Sequence, residues 1–220
     1  TLMLALCRHL PRANASIKRG EWARKQFMGV QLNGKTLGVI GLGRIGSRVA
    51  TRCQAFGMNV IAYDPYIGEE VAERIHVRLV NNLEELLHAA EVITVHTPLT
   101  EETRGMIGTK EISQMKIGVR LVNCARGGII DEKALIEALE DGRLSGAGLD
   151  VLEKEPPDSK NPLLKMENVI LSPHVGFYSV ESISELKQRT AENVSAVLLG
   201  KWPKSVVNRE VMGKARAAIS

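Results

Sequence analysis

From Leu37 onward, short apolar runs alternate with stretches in which apolar and polar positions follow a helical period. Six runs have the length of buried strands: Leu37–Ile40, Asn59–Tyr63, Val92–His96, Val119–Asn123, Gly148–Val151 and Val169–Leu171. Helices are predicted at Arg44–Phe56, Leu83–Ala89, Thr109–Gln114, Asp131–Leu139 and Ser179–Leu199. This alternation predicts an α/β fold with a doubly wound parallel sheet, flanking helices and a long C-terminal helix.

The two ends of the chain follow different patterns. Residues 1–10 have apolar positions in helical rhythm, which predicts an N-terminal helix and a chain that begins inside a larger parent. Lys18–Leu32 shows neither period and is predicted to be an extended connector. Near the other end, Gly200 and Pro203 are expected to stop the last helix.

A glycine-rich turn follows the first predicted strand and reads Gly41-Leu42-Gly43-Arg44-Ile45-Gly46. In a dinucleotide-binding turn, Gly41 would permit the tight turn and Gly43 would let a pyrophosphate approach the backbone. Gly46 would let the helix pack closely on the strand. The free N–H groups at the helix start, together with Arg44, would then bind the phosphates.

Asp64 ends the next strand, 21 positions after Gly43, where a Rossmann domain has its ribose-binding acid. Its carboxylate would repel a 2′-phosphate, and Pro65-Tyr66-Ile67 offers no arginine, so NAD is favoured over NADP. A glycine-rich turn without a ligand, or a Rossmann protein that binds FAD or S-adenosylmethionine, remains an alternative.

Candidate catalytic residues follow the later strands. Arg126 stands between a strand and two glycines that we expect to clear space around it, and its guanidinium suits a substrate carboxylate. His174 follows the last strand and is the candidate base for a hydroxyl proton. Glu155 could accept a hydrogen bond from the imidazole and stabilise its cation.

The remaining candidates lie near the same edge. Thr97 and Pro98 are interpreted as contacts to the adenosine side of the cofactor, and His96 as a structural residue at a strand end. Cys124 has no base beside it in the sequence, so packing and backbone contact are expected rather than nucleophilic catalysis.

Composition narrows the functional class. The 29 basic and 25 acidic residues are interspersed and give a net charge of +4, which suits an anionic substrate and does not indicate nucleic-acid binding. No apolar run approaches the ~20 residues of a membrane span. The three cysteines are widely spaced and lie beside no histidine cluster, which predicts a reducing compartment and no metal site. The lack of a long apolar run, and an opening segment interrupted too early for a signal peptide, predict a cytoplasmic location.

Several of these motifs together resemble the D-isomer-specific 2-hydroxyacid dehydrogenases, and within them the phosphoglycerate-oxidising members, from about Ala13 to Asn208. The similar segments are Leu32-Asn33-Gly34-Lys35-Thr36-Leu37-Gly38, the Gly41 to Gly46 turn, Val95-His96-Thr97-Pro98, Asn123-Cys124-Ala125-Arg126-Gly127-Gly128, Leu149-Asp150-Val151 and Ser172-Pro173-His174.

The resemblance implies Arg126, Glu155 and His174 as the catalytic residues, in agreement with the assignment from the residues themselves. It implies further cofactor contacts at Arg44, Ile45, Asp64, Thr97, Cys124, Ala125, Arg126, Asp150, His174 and Gly176. Asp150 would bind the nicotinamide carboxamide. The resemblance also implies a homodimer in which the connector wraps the partner.

The implied domain organisation is an NAD-binding domain over residues 1–200 and, over 201–220, a tail that returns to a substrate domain otherwise absent. The implied reaction is hydride transfer between NAD and a small D-2-hydroxy acid, with 3-phosphoglycerate to phosphohydroxypyruvate as the first expectation. Val175-Gly176-Phe177-Tyr178-Ser179 departs from the phosphoglycerate-oxidising pattern and resembles corepressor-type relatives. An NAD-sensing interaction protein and an inactive NAD-binding fragment therefore remain alternatives.

Overall fold

A computed structural model describes residues 1–211, and within them strands and helices alternate along the chain. The strands are β1 Thr36–Ile40, β2 Asn59–Tyr63, β3 Arg78–Leu79, β4 Val92–Val95, β5 Val119–Asn123, β6 Leu144–Leu149 and β7 Val169–Leu171. The helices are α1 Leu2–Cys7, α2 Leu10–Lys18, α3 Arg44–Ala55, α4 Glu69–Glu73, α5 Leu83–Ala89, α6 Thr109–Gln114, α7 Glu132–Glu140 and α8 Val180–Leu198.

The seven strands within residues 1–211 form one parallel sheet in the order β3-β2-β1-β4-β5-β6-β7. From β1 the sheet extends through β2 to β3 at one edge. Strand β4 then pairs with the other side of β1, and β5, β6 and β7 follow in order to the opposite edge. The predicted doubly wound sheet is therefore confirmed. Between β1 and β4 the direction of winding changes, and ligands of such sheets bind at this point, outside the carboxyl ends of the strands.

Buried side chains cover both faces of the sheet, as alternation along a strand requires. In β1, Val39 belongs to a cluster with residues of α1 and α3, whereas Ile40 belongs to a cluster with residues of α5, α6 and α7. Because helices cover both faces, the central strands β1, β2 and β4 are largely apolar and are recognisable as short apolar runs.

Strand β6 begins earlier than predicted and ends at Leu149 rather than Val151. Its first residues include Ser145 and Gly146, which break the apolar run. A Cβ on Gly146 would lie 2.6 Å from the Asn168 carbonyl oxygen and 2.9 Å from the Leu6 side chain. Glycine is therefore needed here because α1 packs directly on this strand.

Other differences are local. Strand β3 and helix α4 were not predicted, because β3 has two residues and α4 has five, three of them glutamates. The predicted N-terminal helix is two helices, α1 and α2, separated at His9, whose φ is 51°. Within the predicted connector, Arg24–Phe27 form a 3-10 turn. Asp131 caps α7, because its Oδ1 accepts a hydrogen bond from Ala134 N–H over 2.9 Å.

By its internal contacts the chain divides into two units, Thr1–His174 and Val175–Ser220. The first contains the sheet and the second contains α8. The predicted domain boundary between residues 200 and 201 stays a prediction, and part of the predicted tail, residues 212–220, lies outside the described residues. None of the helices in residues 1–211 has both the length and the apolar character needed to cross a bilayer.

Candidate active site

The predicted site residues of the first unit lie in the segments that follow the carboxyl ends of six strands. Because the sheet is parallel, these segments share one edge of it. They carry the glycine-rich turn after β1, Asp64 after β2, His96–Pro98 after β4, Cys124–Arg126 after β5, Asp150 after β6 and His174 after β7. Gly176 belongs to the second unit, in a turn where Tyr178 N–H donates to the Val175 carbonyl over 2.9 Å.

The three glycines of the turn after β1 meet different constraints. Gly41 has φ +90°, and a Cβ there would lie 2.9 Å from the His96 backbone. A Cβ on Gly46 would lie 1.9 Å from the Gly41 carbonyl oxygen, so α3 approaches the end of β1 more closely than a side chain allows. A Cβ on Gly43 would meet nothing within 4 Å. Gly43 therefore faces open space, as a site of phosphate approach requires.

Asp64 is fixed by the backbone around it. Its Oδ2 accepts a hydrogen bond from Leu42 N–H over 2.8 Å, and its Oδ1 accepts one from Tyr66 N–H over 2.9 Å. Each carboxylate oxygen has a second lone pair, so acceptor capacity remains for a ligand. The sequence predicted the acid but not these contacts, which join the turn after β1 to the end of β2.

The segment after β4 contains an unsatisfied hydroxyl. Thr97 Oγ1 is buried and has no hydrogen-bond partner among residues 1–211. A buried hydroxyl without a partner is unfavourable, so this atom is suited to a ligand. His96 Nε2 lies 3.0 Å from Thr94 Oγ1, and burial lowers the pKa of its imidazole to about 4. His96 is therefore neutral at physiological pH, which agrees with a structural role. Pro98, two residues further on, is exposed to solvent.

The segment after β5 folds around the buried Asn123 side chain. Asn123 Oδ1 accepts from Ala125 N–H over 2.9 Å, and its Nδ2 donates to the Arg126 carbonyl over 2.9 Å. The exposed Arg126 guanidinium donates to the Ala125 carbonyl over 2.6 Å. Cys124 is also exposed to solvent. Partial desolvation and the nearby Asp150 carboxylate raise the pKa of its thiol.

Gly127 has a different role from the one predicted for it. A Cβ at this position would lie 1.8 Å from the Leu152 carbonyl oxygen and 2.8 Å from Glu153 N. The glycine therefore permits two backbone segments to pack against each other, rather than clearing space around Arg126.

Asp150 is the buried acid of this edge, with 4% of its surface exposed. Ser172 Oγ donates to its Oδ1 over 2.5 Å. The backbone of Asp150 also bridges two strand ends, because its N–H donates to the Asn123 carbonyl over 2.9 Å and its carbonyl accepts from His174 N–H over 2.8 Å. Ser172 was not among the predicted site residues, although it directly precedes Pro173 and His174.

His174 and Glu155 form the direct side-chain pair that the sequence predicted. His174 Nδ1 and Glu155 Oε2 are 2.8 Å apart, and each side chain is 39% exposed. An ionised carboxylate can only accept, so Nδ1 carries the hydrogen and Nε2 is the basic atom of the neutral ring. Glu155 Oε1 accepts from Leu152 N–H over 3.1 Å.

The protonation of Glu155 follows from these contacts. Desolvation raises its pKa, but the hydrogen bonds from His174 and from Leu152 N–H outweigh desolvation, and the pKa lies below its ordinary value. Glu155 is therefore ionised at neutral pH. Among the described residues, no hydrogen bond or ion pair joins Arg126 to Glu155 or His174, so Arg126 shares their edge of the sheet without contacting them.

The site fits a dinucleotide and shows no metal centre. Open space at Gly43, the unpartnered Thr97 hydroxyl and the first N–H groups of α3, which have no partner within a helix, are all suited to an extended polar ligand. No group of three histidine, cysteine or carboxylate side chains within residues 1–211 could hold a metal ion.

Comparison with known proteins gives three findings. Residues 1–176 match the family described as "D-isomer specific 2-hydroxyacid dehydrogenase, NAD binding domain". The chain is 52% identical to a D-3-phosphoglycerate dehydrogenase of Methanocaldococcus jannaschii, over 98% of this chain and 42% of that protein. It is 37% identical to the D-lactate dehydrogenase from Aquifex aeolicus, solved in complex with NAD and lactic acid, with a TM-score of 0.83 over 90% of this chain and 64% of that one.

A second relative, a D-3-phosphoglycerate dehydrogenase of Archaeoglobus fulgidus, is 50% identical over 94% of this chain and 39% of that protein. The chain thus spans about two fifths of the length of the curated relatives it matches.

Proposed function

We propose that this chain, which belongs to the D-isomer-specific 2-hydroxyacid dehydrogenase family, forms the NAD-binding part of an enzyme that interconverts a small D-2-hydroxy acid and its 2-keto acid. The family match confirms the predicted NAD cofactor and excludes the FAD and S-adenosylmethionine alternatives. The observation that carries the proposal is the hydrogen bond between His174 and the ionised Glu155, at the edge of the sheet that also contains the glycine-rich turn.

In the proposed reaction, the NAD cofactor supplies the acceptor for the hydride that leaves C2 of the hydroxy acid. His174 Nε2 takes up the hydroxyl proton as the C2–O bond becomes a carbonyl, and in the reverse direction it returns that proton to the ketone oxygen. Glu155 stabilises the imidazolium and holds Nδ1 protonated. The exposed Arg126 guanidinium orients the substrate carboxylate.

We assign cofactor contacts to three groups of residues. The turn and first residues of α3 bind the phosphates, through Gly41, Gly43, Arg44, Ile45 and Gly46. The adenosine side is formed by Asp64, Thr97 and Pro98, and the nicotinamide side by Cys124, Ala125, Arg126, Asp150 and His174. The contact expected at Gly176 stays a prediction from the resemblance. Asp150, held by Ser172, accepts from the nicotinamide carboxamide.

As substrate we propose 3-phosphoglycerate, oxidised to phosphohydroxypyruvate. Two curated relatives with identities of 52% and 50% are named D-3-phosphoglycerate dehydrogenase, and this similarity supports the assignment. The proposed partner is a second copy of the protein, because Trp22 and Met28 in the connector are 83% and 88% exposed. Sedimentation of the chain and of Trp22→Asp tests the dimer, which the aspartate should dissociate. The predicted cytoplasmic location remains a prediction.

The test is a scan of 2-keto acids for NADH oxidation by the whole enzyme, its His174→Ala variant and a His88→Ala control. His88 is an exposed histidine of α5, the helix that precedes the start of β4, and does not follow the carboxyl end of a strand. We expect phosphohydroxypyruvate to be the best substrate, and His174→Ala to lose a factor of about 10²–10⁴ in kcat while keeping most of its affinity for NADH, which many other residues bind. Equal turnover by His174→Ala would refute the assignment. NADH binding without turnover of any 2-keto acid by the unmodified enzyme would favour the NAD-sensing alternative.

A further inference from the structure

The segment that carries Glu155 is tied to the start of α7 by two reciprocal hydrogen bonds. Glu153 N–H donates to Oε1 of Glu132 over 2.5 Å, and Glu132 N–H donates to Oε1 of Glu153 over 3.0 Å. The second carboxylate oxygen of Glu132 accepts from Asn161 Nδ2 over 3.1 Å. Because each residue supplies both a donor and an acceptor, neither can move alone without breaking both bonds.

Helix α7 is a rigid support for this contact. Its inner face is buried in the core through Ala134, Leu135, Ala138 and Leu139, and Asp131 caps its first turn. Both glutamates lie at its N-terminus, where the helix dipole favours negative charge. The segment from Leu152 to Glu155 is part of no helix or strand, so its position depends on contacts with its surroundings.

The same segment is held from a second side and then reaches His174. Gly127 packs so closely against Leu152 that no side chain could be placed between them. Leu152 N–H donates to one oxygen of Glu155, and the other oxygen lies 2.8 Å from His174 Nδ1. A continuous series of contacts therefore runs from α7 through Glu153 and Glu155 to the imidazole.

We propose that Glu132 and Glu153 form a clamp that positions Glu155 and, through it, fixes the ring and tautomer of His174. Glu132 and Glu153 are positioning residues, since neither contacts the imidazole. With the clamp intact, the neutral ring of His174 carries its hydrogen on Nδ1 and presents Nε2. Without the clamp, Glu155 loses its fixed position and the ring populates both tautomers. The consequence for turnover rests on the proposed function, whereas the tautomer itself does not.

A second explanation would be that Glu132 acts on the site through its charge alone. The substitution Glu132→Gln removes the charge and keeps an amide oxygen that can accept from Glu153 N–H, although its amide nitrogen no longer accepts from Asn161 Nδ2. Glu132→Ala removes both the acceptor and the charge. Glu140→Ala removes the same charge from the other end of α7 and is the matched control.

The experiment is ¹⁵N NMR of the histidine side chains in the 220-residue chain at neutral pH, with His174→Ala used to assign the His174 signals. We expect the Nδ1–H tautomer in the unmodified chain, in Glu132→Gln and in Glu140→Ala, and a mixture of tautomers in Glu132→Ala. An unmodified pattern in Glu132→Ala would overturn the clamp. A mixture in Glu132→Gln as large as in Glu132→Ala would also overturn it, because keeping the acceptor for Glu153 N–H would then have no effect.

If Glu132→Ala does not fold, Glu153→Ala replaces it, because Glu153 is exposed and its substitution removes one of the two clamp bonds. The same mixture of tautomers is expected, and an unmodified pattern would overturn the proposal.

Turnover by the whole enzyme gives a separate result. Glu132→Ala should reduce kcat by up to about 10²-fold, as a displaced catalytic group does, and leave KM for NADH unchanged. If His174→Ala is inactive but Glu132→Ala has normal kcat and tautomer, the clamp is wrong and the proposed function stands. If His174→Ala is fully active, the proposed function is wrong, and the NMR result still decides the clamp.

Discussion

Alanine substitutions at Gly46 and Gly43 of the same turn should affect different properties, namely stability at Gly46 and NADH affinity at Gly43. In Gly46→Ala, the new Cβ would lie 1.9 Å from the Gly41 carbonyl oxygen and 3.0 Å from its carbon. The two backbone segments must therefore separate by about 1.5 Å to reach an ordinary contact. In Gly43→Ala, the new Cβ meets no protein atom within 4 Å, and the backbone of Gly43 (φ −67°, ψ −159°) accommodates alanine.

The contacts give the size of each effect. Overpacking a well-packed site costs about 1–3 kcal/mol, and we expect about 3 kcal/mol for Gly46→Ala because the obstructing atoms are backbone. For a chain of this length, that lowers Tm by roughly 6–12 °C. Gly43→Ala changes only the N-cap residue of α3 and should cost less than about 1 kcal/mol. It should nevertheless weaken NADH binding at least about tenfold, because the methyl group occupies the proposed path of the pyrophosphate.

Thermal unfolding and NADH titration of the two variants, side by side with the unmodified chain, test this reasoning. The expected pattern is lost stability in Gly46→Ala and lost affinity with retained stability in Gly43→Ala. If Gly46→Ala unfolds at the unmodified temperature, the close packing of α3 on β1 is wrong. If Gly43→Ala is stable and binds NADH normally, the phosphates do not approach this turn.

Three further results are expected. Asp64→Asn should lower the ratio of the Kd for NADPH to the Kd for NADH at least about fivefold, because the charge that repels a 2′-phosphate is gone; an unchanged ratio in parallel titrations would argue against this role. Ser172→Ala should cost about 1.5–3 kcal/mol in urea unfolding, because the buried Asp150 carboxylate loses a donor; a loss below about 0.5 kcal/mol would contradict it. In the folded chain the pKa of Glu155 lies below its ordinary value of 4.5. The ionised carboxylate therefore stabilises the fold at pH values above 4.5, and this stabilisation is lost as the pH falls through the lower pKa of the folded state. The difference in unfolding free energy between the unmodified chain and Glu155→Gln should therefore shrink from pH 7 to pH 3, and a constant difference would refute the ionised pair.

The strands could be predicted because a sheet covered on both faces leaves an apolar run in the sequence. Strand β3 left no such signal, since Arg78 is exposed and the strand has two residues. The start of β6 was missed because its glycines are required by the packing of α1, a contact between segments far apart in the chain.

The site residues could be proposed from their positions after strands, but their partners could not. His174 and Glu155 were predicted to pair because the chemistry of a base requires an acceptor, and the structure has this contact. The bonds between Glu132 and Glu153 depend on backbone N–H groups 21 residues apart, which no local pattern indicates. Gly127 was misinterpreted because the sequence does not show which segment packs against it.

We propose that NAD binds at the edge of the sheet where β1 and β4 end. The most direct measurement is titration of the chain with NADH, followed by nicotinamide fluorescence, with NADPH in parallel. We expect saturable binding of NADH at one site and NADPH binding at least about tenfold weaker, because the Asp64 carboxylate disfavours a 2′-phosphate. No saturable NADH binding, or tighter binding of NADPH, would contradict it.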